Sequence, residues 1–153
     1  YTEAIAAYEE SIKLNEKNAN ALNNYAYFLL RLEQPAVIEK AVRMASKAVA
    51  LQPGEFRFLD TYGFALFLQG DYLQAEIYLR QAIERAEAAL KEDPSSISIT
   101  SLADYYYHYA NVQGELGNLP DSLLYLQKAK ELVSTDEIDL AIEKIKRRME
   151  SSK

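Results

Sequence analysis

The sequence contains no cysteine and only one histidine, and no apolar run approaches the roughly 20 residues that cross a bilayer. Without thiols there are no disulfides, no thiol catalysis and no thiolate metal sites. The single His108 stands without a second histidine, a cysteine or an HExxH spacing, so neither metal binding nor general-base chemistry is expected of it. There is no glycine-rich phosphate loop and no nucleophile elbow. A basic excess is also missing: 17 Lys+Arg face 23 Asp+Glu, for a formal charge of −6. Nucleic-acid binders usually show a basic face, so no nucleic-acid partner is expected. Strand-like alternation is confined to a short "SISIT" at residues 96–100.

Helical signals fill the remainder of the 153 residues, and they repeat. Ser11, Ala48, Ala82 and Ala129 are separated by 37, 34 and 47 residues, and Ala4, Ala41, Ala75 and Ser122 by the same intervals. Leu22, Leu59 and Tyr106 share the 37 and 47 steps, as do Tyr25, Tyr62 and Tyr109, and again Ala26, Gly63 and Ala110. Each unit reads as two amphipathic helices. Leu22, Tyr25, Ala26 and Leu29 form one stripe at i, i+3, i+4 and i+7, and Leu59, Tyr62, Gly63 and Leu66 form the next. Gln34-Pro35, Gly70-Asp71 and Gly117-Asn118 mark the turns inside units; Pro53-Gly54 and Asp93-Pro94 close them.

These residues resemble the tetratricopeptide repeat (TPR), a 34-residue helix-turn-helix unit. Leu59-x2-Tyr62-Gly63-x2-Leu66 followed by Ala75-x3-Leu79 and Ala82 matches its pattern, and the resemblance covers nearly the whole chain. There is no Trp in the opening slot, Tyr stands where Leu is usual in the next, and the last full unit has Gln113 and Ser122 in apolar slots. The resemblance implies an all-α, right-handed α-α superhelix, a TPR solenoid of stacked antiparallel helix hairpins. Residues 1–17 read as the lone second helix of a truncated repeat. Residues 18–53 read as one repeat and residues 54–94 as a repeat with a lengthened second helix. Residues 95–134 read as a repeat with a lengthened first helix, and residues 135–153 as a C-terminal capping helix. Gly63 is expected to let two helices cross closely opposite Ala75, offsetting a propensity cost of about 1 kcal/mol for glycine in a helix.

The 37-residue interval has three extra residues, placed in the turn before Ala41. Of the thirteen extra in the 47-residue interval, seven are assigned to a longer second helix. Six between Ser96 and Ala103 either extend the first helix by roughly 9 Å or form an irregular loop at residues 94–100. Ser134 and Glu137 fit a capping box for the last helix.

In the TPR family the first helices line the concave groove. That side here carries Asn20, Asn23, Asn24 and Tyr27, then Arg57, Asp60, Thr61 and Phe64, then Asp104, Tyr107, His108 and Asn111. The resemblance therefore implies a non-catalytic scaffold that binds a peptide or helix of a partner protein, with no cofactor and no metal. One subgroup of the family grips a C-terminal carboxylate. Asn24 and Arg57 fit two of its positions, but Thr61 stands where an arginine would, so that clamp is not expected. The alternative is a structural or regulatory segment that packs on another domain of its parent chain or on a second copy, within an enzyme or envelope complex. The opening Tyr1 lies next to residues that already read as helix, which suggests a piece of a longer protein. "LDTYGFALFLQGDYLQAEIYLRQA" is similar to bacterial repeats of this family. Cytoplasm and periplasm are both compatible with these residues.

Overall fold

The computed structural model describes residues 1–152, so Lys153, the last residue of the expected cap, lies outside it. The described residues form eight helices: α1 (Thr2–Leu14), α2 (Ala19–Leu30), α3 (Pro35–Leu51), α4 (Phe56–Gln69), α5 (Tyr72–Glu92), α6 (Ile99–Glu115), α7 (Leu119–Leu132) and α8 (Asp136–Ser151). Among the described residues there is no strand; "SISIT" supplies loop and the first residues of α6. No helix is long and apolar enough to cross a membrane among the described residues.

Local chemistry sets where these helices begin and end. Side-chain oxygens of Asn18, Asp71 and Ser98 accept from backbone N–H groups three residues on, at 3.0, 3.2 and 3.1 Å, which satisfies donors that have no partner within the helix. Pro35 and Pro120 sit in first turns, where a missing N–H costs nothing. Gly70 and Gly117 adopt φ of 93° and 83°, a left-handed conformation that favours glycine. There Asp71 N–H donates to Leu66 O and Asn118 N–H to Gln113 O, closing α4 and α6. The cap of α8 is Thr135, whose hydroxyl accepts from Ile138 N–H at 3.2 Å. This corrects the capping box expected from Ser134: the helix starts one residue later than that spacing implied.

Helices α2/α3, α4/α5 and α6/α7 pair as antiparallel hairpins. Successive hairpins stack through α3–α4 and α5–α6, with α1 on α2 and α8 on α7. The repeating small residues lie at these crossings. Ala26, Ala41, Ala48, Ala75, Ala82, Ala110 and Ala129 are fully buried. In α1, packed on one side only, Ala4 is half-buried and Ser11 exposed. The polar departures from the repeat pattern are satisfied within the core: Ser122 Oγ donates to Ala110 O at 2.8 Å, and Gln113 Oε1 accepts from Asn118 Nδ2 at 2.7 Å. Gly63 does lie at a close helix crossing, and the atoms nearest to it there belong to Leu79. A Cβ there would stand 2.6 Å from Leu79 Cγ and 3.1 Å from Leu79 N, one helical turn beyond Ala75 along α5.

The irregular intervals resolve as follows. Three additional residues of α3 precede Ala41, compared with the start of α5 before Ala75, so that insertion lengthens a helix as well as its turn. Beyond Ala82, α5 runs seven residues further than α3 does beyond Ala48. Helix α6 begins only four residues earlier, relative to Tyr106, than α4 does relative to Leu59. Residues 93–98 form the loop between them; Ile97 is buried and Ile99 exposed.

Candidate functional site

Helix α2 touches α4, and α4 touches α6, whereas α3, α5 and α7 make no comparable approach to one another. The first helices therefore form the inner, compressed side of the curved stack. Two adjoining hollows open along it. The larger, about 540 Å³, lies among Tyr27, Leu30, Arg31, Phe64, Leu68, Asp104, Tyr107, His108 and Glu137. The smaller, about 190 Å³, lies among Asn23, Asn24, Tyr27, Arg57, Asp60, Thr61, Ser101, Asp104, Tyr105 and His108. Tyr27, Asp104 and His108 belong to both. Ten of the twelve residues placed on the groove side by the resemblance thus line these hollows; Asn20 and Asn111 line neither.

The twelve differ in what they leave free. His108 Nδ1 lies 3.0 and 3.1 Å from the two oxygens of Asp60, and both side chains are nearly closed off from water. This pair links α4 to α6 across 48 positions of sequence, and it gives His108 a partner that sequence reading did not find. Burial pushes the imidazole down. The Asp60 carboxylate, with Asp104 and Glu137 behind it, outweighs that and holds His108 above the ordinary histidine value. Phe64 stacks on the imidazole with ring centres 4.0 Å apart. Thr61 is buried, and its hydroxyl donates to Arg57 O at 3.0 Å, so it is spent within α4. Arg57 pairs with Glu55 at 3.0 Å. Tyr107 donates to Glu137 at 3.0 Å, tying α6 to α8. Asn24, Tyr27 and Asp104 remain exposed. Desolvation raises the Asp104 carboxyl, and His108 and Arg31 only partly counter this.

Arg31, Leu68 and Glu137 are among the contributors to the hollows that escaped the sequence reading. Arg31 and Leu68 continue the stripes of their helices, one turn beyond Tyr27 and Phe64, so following the period one step further would have found them. Glu137 comes from α8 and had no periodic signal linking it to the groove.

Residues 7–40 match the family model for the tetratricopeptide repeat. No curated protein sequence matches the chain. Among solved structures, the chain is similar to YrrB, a TPR protein with an unusual peptide-binding site. The TM-score is 0.66 at 21% identity over 89% of this chain, which spans 62% of YrrB, less than two thirds of its length. It is similar to the MamA protein, with a TM-score of 0.70 at 19% identity over 93% of this chain and 69% of that one. It is also similar to the TPR2AB domain of yeast Sti1 in its complex with pHSP90, with a TM-score of 0.67 at 17% identity over 88% of this chain and 48% of that one. At such identities the likeness is one of fold. One repeat, at residues 7–40, thus matches the tetratricopeptide-repeat model, and the hairpin stack from α1 to α8 shares the fold of these TPR structures.

Proposed function

We propose that this array is a non-catalytic protein-interaction scaffold that receives a peptide or helix of a partner protein along α2, α4 and α6. The carrying observation is the larger hollow, where Tyr27 (42% exposed) and Leu68 (37% exposed) stand open beside Phe64, Leu30 and Ile38, with Arg31, Asp104 and Glu137 among the polar residues of its wall. Large apolar side chains around a concave surface suit anchor residues of a partner. The Asp60–His108 and Tyr107–Glu137 links hold α4, α6 and α8 together, so the surface is preformed and less ordering accompanies binding. Among the similar structures, YrrB is a TPR protein with an unusual peptide-binding site and the TPR2AB domain of Sti1 is in a pHSP90 complex.

The test is selection of random twelve-residue peptides on the immobilised chain, followed by affinity measurement against a Tyr27→Ala/Leu68→Ala variant. A loss of about tenfold or more, with the melting temperature unchanged, supports groove binding. Selected peptides that bind the variant as well as the parent chain defeat it. The second reading, association through the end of the stack, draws on α1, which buries no residue and exposes Tyr1 (83%) and Leu14 (79%). Sedimentation velocity that shows a constant monomer across concentrations would remove self-association.

A further inference from the structure

We infer that Tyr105 is a partner-contacting residue of the groove, its hydroxyl donating a hydrogen bond to a neutral main-chain carbonyl of the bound segment. This rests on the groove reading above and adds the chemistry that the smaller hollow selects. Among the described residues the buried tyrosines are Tyr25, Tyr105, Tyr106 and Tyr109. Tyr25 donates to Glu9 at 3.0 Å, Tyr106 to Glu87 at 2.7 Å and Tyr109 to Glu76 at 3.3 Å, as buried phenols usually find a partner. Tyr105 is as closely buried, at 6% exposed, yet its hydroxyl donates to no group among the described residues. It lines the smaller hollow, and the other three do not.

The fold does not require that oxygen. Ala21, Phe58 and Tyr105 fall in one repeat column, at the same intervals of 37 and 47, and Phe58 fills its place fully buried as a bare ring. The Tyr105 ring is likewise fixed by packing, edge-on to Phe56 with ring centres 6.4 Å apart. Its hydroxyl stands among the charges of the smaller hollow, since Asp60, Arg57 and Asp104 all act on it. Burial above all pushes the phenol up, with Asp60 adding to this, so the group stays a neutral donor.

Solvent can meet this hydroxyl while the hollow stands open. A segment that fills the roughly 190 Å³ there excludes that solvent, and a donor then left without an acceptor is costly. The segment must bring the acceptor, because the Asp60 carboxylate is held by His108. An entering carboxylate would meet Asp104, while Arg57 and His108 are already countered by Glu55 and Asp60. A neutral carbonyl meets no such repulsion and has two lone pairs to offer. The two hollows share Tyr27, Asp104 and His108, so the backbone that carries an anchor into the larger one runs beside the smaller. A main-chain carbonyl near the anchor residue is therefore the acceptor within reach.

The selected peptides are measured by fluorescence polarisation on Tyr105→Phe, which removes the hydroxyl and keeps the ring. Affinity should fall about three- to tenfold, the loss of one hydrogen bond, with the melting temperature unchanged. Tyr106→Phe is the control: it should lower the melting temperature through loss of its bond to Glu87 and leave affinity unchanged. Each main-chain amide of the strongest peptide is then replaced by an ester, whose carbonyl is a weaker acceptor. One such ester should weaken binding to the parent chain and have little further effect on Tyr105→Phe. Unchanged affinity on Tyr105→Phe overturns the inference. So does a lowered melting temperature of that variant, or a loss that tracks an Asn or Gln side chain of the peptide and no ester. If peptides indifferent to Tyr105→Phe still lose affinity on the Tyr27→Ala/Leu68→Ala variant, the groove stands and only the role of Tyr105 falls. If they do not, or if no peptide is selected, both fall.

Discussion

Replacing Gly63 by alanine adds one methyl group at the crossing of α4 and α5. That methyl would lie 2.6 Å from Leu79 Cγ, 2.9 Å from its Cδ2 and 3.1 Å from its backbone N, where carbon contacts ordinarily settle at about 3.5–4.0 Å. Leu79 is fully buried, so its branch point has no space to turn into, and the backbone contact cannot be relieved by any rotamer. The helices must move apart. Alanine gains up to about 1 kcal/mol in helix propensity over glycine, while overpacking costs about 1–3 kcal/mol. A net loss of about 1–2 kcal/mol is expected, a fall of roughly 2–8 °C in melting temperature for a chain of this size. Circular dichroism at 222 nm reads it directly. Gly114→Ala is the control: its nearest neighbours, Ile145 Cδ1 and Ser122 Oγ, lie at 3.3 Å, so a shift of a few tenths of an ångström suffices, and no backbone atom stands as close. It should change stability by less than about 0.5 kcal/mol. In a Leu79→Ala background, Gly63→Ala should cost less, because Cγ and Cδ2 are gone and only the 3.1 Å contact with the backbone N remains. A Gly63→Ala chain that melts at or above the parent temperature would refute the close-crossing account.

Thr135→Ala should destabilise the chain by about 1 kcal/mol through loss of its cap to Ile138 N–H, while Ser134→Ala leaves the melt unchanged; equal effects in chemical denaturation would contradict the cap assignment. Because His108 is raised in the folded state, its pairing with Asp60 contributes fully below the unfolded value of about 6.5 and is lost as pH climbs through the folded value. Melting temperature should therefore fall above pH 6.5 in the parent chain and stay level in Asp60→Asn over that window. An NMR titration that places the His108 ring at or below the free value would contradict the sign.

Much of the architecture was present in the order of residues. The stripes at Leu22/Tyr25/Ala26/Leu29 and Leu59/Tyr62/Gly63/Leu66 specify amphipathic helices, because burial follows the 3.6-residue period. The small-residue columns specify that these helices pair closely, because nothing larger than methyl fits between their axes. The same period placed Tyr27, Arg57 and Tyr107 on one side of their helices, beside the hollows. Local signals were less decisive at the ends, where Ser134 and Thr135 both had the chemistry of a cap and only the course of the chain favoured Thr135.

Periodicity fixes the direction in which a side chain leaves its own helix, but not how far away the next helix lies. That distance follows from the tilt between stacked hairpins, a sum over every buried contact. It alone brought Leu79 closest to Gly63 and joined Asp60 to His108 across two units. It closed Thr61 from solvent, left Tyr27 and Leu68 open, and carried Glu137 from the last helix to Tyr107.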